Sequence, residues 1–302
     1  MNDKKKNIGA SVRQRLRNRA TSDKRPFAEL LQYFAMERFL YRLTQSPHGE
    51  RFILKGALML QAWQSPETRP TMDIDMLGIT SNDVESICGQ VADVLAVEIE
   101  DGLVFDPSTI RGEVIKEDAD YEGVRVRFLG TLDGARVPMQ IDVAFGDVVH
   151  PDPTLTELPA LLDQPAPRLL CYSRESAIAE KLEAMIKLGT LNSRMKDFYD
   201  IWLLSRQFEF DGAALAEAIR LTLENRGTAL PDVITAFSED FVDEKAGQWA
   251  AFNKRLGQNH LPADFTEVVL GIRDFLQPPL SALASGEPFG GRWVVTDRWI
   301  DR

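Results

Sequence analysis

A cluster of prolines constrains this chain more than any other feature, because the pattern on its two sides is different. Five of the 16 prolines (Pro151, Pro153, Pro159, Pro165 and Pro167) fall within residues 151–167. Proline fixes φ and has no backbone N–H, so the stretch cannot continue a helix or a central strand. It is expected to be a linker over 151–170. Before it, strand and helix signals mix. Phe52-Ile53-Leu54 and Met72 to Leu77 read as strands, and Ala57 to Gln64 reads as a short helix. Val124 to Phe128 and Val137 to Phe145 alternate as strands around the hairpin signal Asp133-Gly134. After it, apolar periodicity predicts helices at 174–188, 194–206, 212–225, 243–256 and 264–276. The tail beyond Pro278-Pro279, with Trp293 and Trp299, has no clear period. The fold class expected is α+β: N-terminal helices over 1–50, a mixed α/β core over 51–150, and an all-helical domain over 171–302.

The N-terminal helix is predicted from Pro26 to Thr44, with Phe27, Leu30, Leu31, Phe34, Phe39, Leu40 and Leu43 at helical spacing. Ahead of it lies a basic segment. Residues 1–25 hold nine cations against Asp3 and Asp23, a net +7 in a chain whose total is −11. The bulk charge argues against a protein that coats nucleic acid electrostatically, whereas the segment reads either as a solvated basic helix or as an arm that guides a polyanion. No apolar run approaches the roughly 20 residues of a membrane span. The start lacks the apolar block of a secretory signal, and two unpaired-spacing cysteines with three histidines do not suggest a disulfide framework or a zinc site. The expected location is cytoplasmic.

Met72-Asp73-Ile74-Asp75-Met76 carries the most chemistry. In a strand, Asp73 and Asp75 share one face, with Met72, Ile74 and Met76 on the core side. Two carboxylates about 4 Å apart repel by about 4 kcal/mol at an effective dielectric near 20. A bound Mg²⁺ turns that cost into affinity. The alternative is a pair of acids on a wet edge strand. Gln140-Ile141-Asp142-Val143 places a third acid between strand apolars in the same half of the chain. Asp142 then completes a two-metal site or serves as a base. Upstream, Lys55-Gly56-Ala57 sits at a strand-to-helix junction, where a glycine lets phosphate approach backbone N–H groups.

Two helices of the second half carry charge in awkward places. Lys181 is flanked at helical spacing by Ala177, Ile178, Ala184 and Met185, so its ammonium either snorkels to water or meets a buried anion. The next helix opens with Arg194-Met195-Lys196-Asp197, although cations in a first turn oppose the helix dipole. They become useful if a phosphate binds there. Asp197 and Asp200 share a face, with Lys196–Asp200 as the plain surface pair. Acids for a metal and cations for a triphosphate suit phosphoryl or nucleotidyl transfer.

These residues resemble a known family. Gly56-Ala57, Asp73-Ile74-Asp75-Met76 and Ile141-Asp142-Val143 resemble the glycine-plus-three-carboxylate signature of the polymerase-β-type nucleotidyltransferase fold. More narrowly, four blocks in order are similar to the AbiEii/AbiGii toxin family, which includes abortive-infection toxins and the related MenT toxins. They are Phe52 to Ala57, Arg69 to Asp75, Ala179 to Ala184 and Arg194 to Asp200. The resemblance spans roughly residues 30–205 and implies a polymerase-β-like core at 51–150, with the helical domain completing the active site. It implies a bacterial toxin with a cognate antitoxin encoded beside it. The toxin would use Mg²⁺ or Mn²⁺ to transfer a nucleotide from an NTP to RNA, at the tRNA 3′ acceptor end in characterised members, and so block translation. It assigns the metal to Asp73, Asp75 and Asp142, and catalysis to these with Lys181 and Asp197. Lys55, Gly56, Ala57, Lys181, Arg194, Lys196 and Asp200 fall to the nucleotide. The expected geometry sets the paired aspartates and Lys181 in one pocket. Ala57 departs from the usual Gly-Ser or Gly-Gly and offers no hydroxyl to phosphate. Two other readings stay open: transfer to a protein or small molecule, and a nucleotide-binding regulatory module without turnover.

Overall fold

The computed structural model describes residues 7–67, 69–118, 121–258, 260–295 and 298–300. Lys4, Lys5 and Lys6 of the basic segment therefore lie outside the described residues. The chain divides into two compact units, Met1–Gly146 with Thr154–Cys171, and Asp147–Pro153 with Tyr172–Arg302.

The first unit is a mixed sheet with helices. Its helices are α1 (Ile8–Asp23), α2 (Phe27–Gln45), the short α3 (Met59–Ala62) and α4 (Val84–Leu95). Its strands are β1 (Phe52–Lys55), β2 (Ile74–Gly78), β3 (Leu103–Asp118), β4 (Tyr121–Leu132), β5 (Ala135–Phe145), β6 (Thr154–Glu157) and β7 (Arg168–Cys171). They form one sheet in the order β3-β4-β5-β2-β1-β7-β6. The β2–β5 and β1–β7 pairs are parallel and the other neighbours antiparallel. Asp133 and Gly134 close the β4–β5 hairpin at φ 46° and 77°. That left-handed pair matches the strand twist and pins Leu132 opposite Ala135.

Two expectations change here. The stretch 151–170 was expected as a linker, yet it holds β6 and β7, and β7 joins the sheet beside β1 at Leu54↔Cys171. Its prolines lie outside those two strands, at positions that need no ladder donor. The second change is at Met72, which was expected on the core side and is 55% exposed. The strand begins only at Ile74, because Gln32 Nε2 donates to the Met72 carbonyl at 3.0 Å and holds residues 71–73 in a bend.

Helix α2 is enclosed rather than half-wet. Every residue from Leu30 to Leu40 is buried, polar ones included. Each buried polar side chain holds a loop of the same unit. Gln32 also reaches the Pro138 carbonyl at 3.1 Å, Glu37 accepts the Leu161 N–H at 2.6 Å, and Arg38 donates to the Pro165 carbonyl at 2.6 Å. Arg42 grips both oxygens of Asp101 at 2.6 and 3.0 Å. The α1 arginines serve similarly at the surface, where Arg13 meets Asp133, Arg15 meets Asp163 and Arg19 meets Asp23. Within the described residues, the solvated-helix reading of this segment acquires specific partners. Such exposed pairs contribute about 0–1 kcal/mol each.

The second unit is helical, with a small sheet added. It contains α5 (Arg174–Leu188), α6 (Met195–Gln207), α7 (Gly212–Asn225), α8 (Glu239–Leu256) and α9 (Phe265–Ser285). Strands β8 (Phe210–Asp211), β9 (Arg292–Val294) and β10 (Arg298–Ile300) make a sheet in the order β10-β9-β8. Helix α9 runs through Pro278 and Pro279 instead of stopping at 276. Burial of Phe275, Leu276, Pro279 and Leu280 offsets the lost backbone bonds. The tail beyond it packs inside this unit. Trp299 stacks on Phe275 at 5.9 Å, and Trp293 Nε1 donates to the Ser205 carbonyl at 2.6 Å. Cys88 and Cys171 are free, and burial pushes the Cys171 thiol up to about 12. Among the described residues no helix is long and apolar enough to cross a membrane.

The Arg42–Asp101 pair tests the role of α2. Asp101 is 1% exposed, so Asp101→Ala leaves a buried guanidinium unpaired and is expected to lower the unfolding free energy by about 3–5 kcal/mol in urea titrations. The double variant Arg42→Met/Asp101→Ala should recover part of that loss.

Candidate active site

In the first unit, one level of the sheet carries four charged residues side by side. Register places Lys55 of β1 opposite Asp75 of β2, Asp75 beside Asp142 of β5, and Asp142 opposite Arg125 of β4. Register partners project to the same face, so two acids lie between two cations. Asp73 joins them from the bend that precedes β2, and ligand atoms of Asp73, Asp75 and Asp142 all lie within 4.8 Å of one another. The bend is held from behind. Tyr33 Oη accepts the Thr71 N–H at 3.2 Å, and Thr71 Oγ1 donates to Asp73 Oδ1 at 2.6 Å.

Asp142 is oriented by a two-pronged contact. Arg125 donates Nε to one of its oxygens at 2.7 Å and Nη2 to the other at 2.6 Å. That fork-on-fork pairing raises the Arg125 pKa above its ordinary value, chiefly through the hydrogen bond. Hard oxygen donors at this spacing fit a divalent cation such as Mg²⁺ or Mn²⁺. The glycine has a steric reason of its own. Gly56 adopts φ +73°, and a Cβ there would come within 2.0 Å of Asp75 Oδ2. Only glycine leaves room for that carboxylate. Lys55 and Ala57 are both buried, at 8% and 5% exposure.

In the second unit, Lys181 resolves its two alternatives in favour of buried anions. Its ammonium meets Asp200 at 3.0 Å and Asp197 at 3.5 Å. Arg194 reaches the second oxygen of Asp197 at 2.6 Å. Asp197 and Asp200 are buried, so the surface pair Lys196–Asp200 is replaced by Lys181–Asp200, and Lys196 stays exposed. The structure thus brings Asp73, Asp75, Asp142, Lys55 and Gly56 together in one unit, and Lys181, Arg194, Asp197 and Asp200 together in the other.

A family model described as the nucleotidyl transferase AbiEii toxin of a type IV toxin–antitoxin system matches residues 38–270. The chain belongs to the AbiEii toxin family. Its members are nucleotidyltransferases of toxin–antitoxin systems, so this AbiEii chain is an enzyme of that class with an antitoxin as counterpart. Two Helicobacter pylori crystal structures are similar at 15% identity. JHP933 has a TM-score of 0.46, with 85% of this chain and 94% of that one covered. A protein described as a candidate nucleotidyltransferase has a TM-score of 0.47, with 86% and 98% covered. The family match alone carries the membership. No curated protein matches the sequence.

Reading the AbiEii chain by motif passes over Arg125, although a signal for it exists. Counting back from the two-residue turn at Asp133-Gly134 puts Arg125 directly opposite Asp142. Arg226 is passed over too. Half-hidden at the end of α7, it binds Asp147 at 2.8 Å and Glu183 at 3.0 Å, with Glu180 at 3.7 Å. Burial depresses its pKa, but the charges of Glu180 and Asp147 outweigh that and leave it raised. No local pattern announces this contact, because its partners come from two segments distant in sequence, the loop at Asp147 and helix α5.

The Gly56–Asp75 contact is directly testable. Gly56→Ala should weaken Mn²⁺ binding, read by electron paramagnetic resonance, by about tenfold or more, the size of effect seen when a ligand's support is lost. Gly89→Ala, on α4 with open space around its Cβ, should leave Mn²⁺ binding unchanged.

Proposed function

We propose that the protein is a cytoplasmic toxin that transfers a nucleotide from an NTP to RNA, at the 3′ acceptor end of tRNA, and so stops translation. The observation that carries the reading is the convergence of Asp73, Asp75 and Asp142 within 4.8 Å inside the region matched to the family. A divalent cation, Mg²⁺ or Mn²⁺, supplies charge neutralisation at the α-phosphate when bound there. Asp73 and Asp75 would hold it. Asp142 serves as a third ligand rather than a base, because Arg125 occupies both of its oxygens.

Transfer is an in-line displacement. The acceptor hydroxyl oxygen forms a bond to the α-phosphorus, the bond from that phosphorus to the bridging oxygen breaks, and pyrophosphate leaves with the electron pair. The hydroxyl proton passes to solvent. Lys181 is assigned to the triphosphate, and its pairing with Asp197 and Asp200 fixes the direction of the ammonium. Lys55, Gly56 and Ala57 act on the nucleotide from behind. Lys55 offsets the negative charge beside it, Gly56 admits the Asp75 carboxylate, and buried Ala57 contributes backbone only. Arg194 and Lys196 serve as contacts to phosphate groups. The sheet supports this reading, since Asp75 and Asp142 lie on neighbouring parallel strands and Asp73 in the bend that precedes β2.

The test is incubation with each of four α-labelled NTPs, Mg²⁺ and total RNA. Label should enter RNA with the wild-type protein and fall by at least about a thousandfold with Asp73→Ala or Asp75→Ala. Lys181→Ala should raise KM for the NTP more than it lowers kcat. Label appearing in protein instead of RNA would replace the acceptor in this reading, and label in neither would remove the reading itself.

A further inference from the structure

The second unit contains a cavity of about 420 Å³ between the segment that opens α6 and the C-terminal half of α8. Arg194 and Lys196 line it from one side, and Gln248, Phe252 and Arg255 from the other, with Ser193 adding a hydroxyl at the edge. Three cations face one space, and among the described residues the lining includes no carboxylate. Lys196 and Arg255 are exposed, and neither has a carboxylate partner among the described residues. The Arg255 guanidinium carbon lies over the Phe252 ring at 5.7 Å, so one face of the guanidinium meets the ring and its N–H edge remains available. Arg194 has its own acid, Asp197 at 2.6 Å, and so is held in place. The turn is built as well. Asn192 is fully buried, and its Oδ1 accepts the Arg194 N–H at 2.8 Å.

Lys196 and Arg255 line this space with no carboxylate partner among the described residues, so an anion bound there meets two uncompensated cations beside the anchored Arg194. The lining chemistry, cations with a hydroxyl and an amide, suits phosphate groups. A nucleoside triphosphate travels with a divalent cation and calls for carboxylates beside it. This lining has none, whereas the singly charged phosphates of a polynucleotide backbone need only cations and hydroxyl or amide donors. We propose that this cavity is a binding subsite for the phosphodiester backbone of the RNA acceptor, with Arg255 and Lys196 as its principal contacts. The proposal rests on the RNA-acceptor reading above and assigns Arg194 and Lys196 to the acceptor rather than to the NTP.

The experiment measures fluorescence anisotropy of labelled bulk tRNA with the full chain, from low to moderate salt, beside calorimetric binding of an Mg-NTP and of inorganic triphosphate. Arg255→Ala is expected to weaken tRNA binding about tenfold and to reduce the slope of log K against log salt by about one. Arg255→Lys should restore most of it. Mg-NTP and triphosphate binding should not change in either variant. Because Arg255 is exposed, its replacement leaves the core packing intact, and a thermal melt checks this. Unchanged tRNA affinity and salt slope in Arg255→Ala would overturn the subsite while leaving the transferase reading in place. Loss of triphosphate or Mg-NTP binding with tRNA binding intact would overturn it in favour of the NTP as phosphate source. Absence of tRNA binding by the wild type, together with label entering no RNA, would overturn both the subsite and the RNA-acceptor reading.

Discussion

Two carboxylates set beside each other on neighbouring strands repel, and the first unit is arranged around that repulsion. Asp75 and Asp142 occupy adjacent positions across the β2–β5 pair, and Asp73 lies close enough for all three to share a ligand sphere. The sheet answers with a cation on each outer flank, Lys55 and Arg125. These flanking charges offset part of the repulsion among the acids. The three carboxylates are nonetheless held within 4.8 Å of one another.

The second unit solves a related problem in the opposite sense. A lysine on an apolar helix stripe is costly when isolated. Here Asp197 and Asp200, one turn apart on α6, are themselves buried and receive the Lys181 ammonium between them. Arg194 completes the chain of contacts through Asp197. Removing any one member leaves a buried charge unmatched, so the four behave as a set. Arg226 performs the same service for Asp147, Glu180 and Glu183. The helices of this unit are therefore tied together by ionic as well as apolar contacts, in keeping with an acidic protein that places few cations without purpose.

Much of this was legible along the chain. Helices α5 and α7 match the periodic segments residue for residue, because an N-cap serine or aspartate and a turn residue mark their ends. The strand carrying Ile74 and Asp75, and the one carrying Ile141 and Asp142, follow from alternation. The failures have a common cause, which is that local pattern reports backbone preference and not what lies opposite. Prolines at 151–167 do exclude long regular structure, yet they leave room for two four-residue strands, and those strands form because the sheet offers them an edge beside β1. Pro278 and Pro279 weaken a helix locally, but α9 continues because its apolar face is buried. Met72 alternates correctly with Ile74 and still points outward, since Gln32 from a distant helix pulls its carbonyl into a bend.

The amino-acid order alone determined which groups are candidates for the chemistry: the acids at 73, 75 and 142, the glycine at 56, the lysine at 181 and the aspartates after it. Those are choices of functional group, and a functional group is a property of the residue itself. The tertiary structure decided what each group faces. It set Arg125 on Asp142, fitted Asp75 into the space a side chain at Gly56 would fill, and turned Lys181 towards Asp197 and Asp200. Long-range pairing decides these contacts because electrostatic and steric energies depend on distance in space, and separation along the chain records none of it.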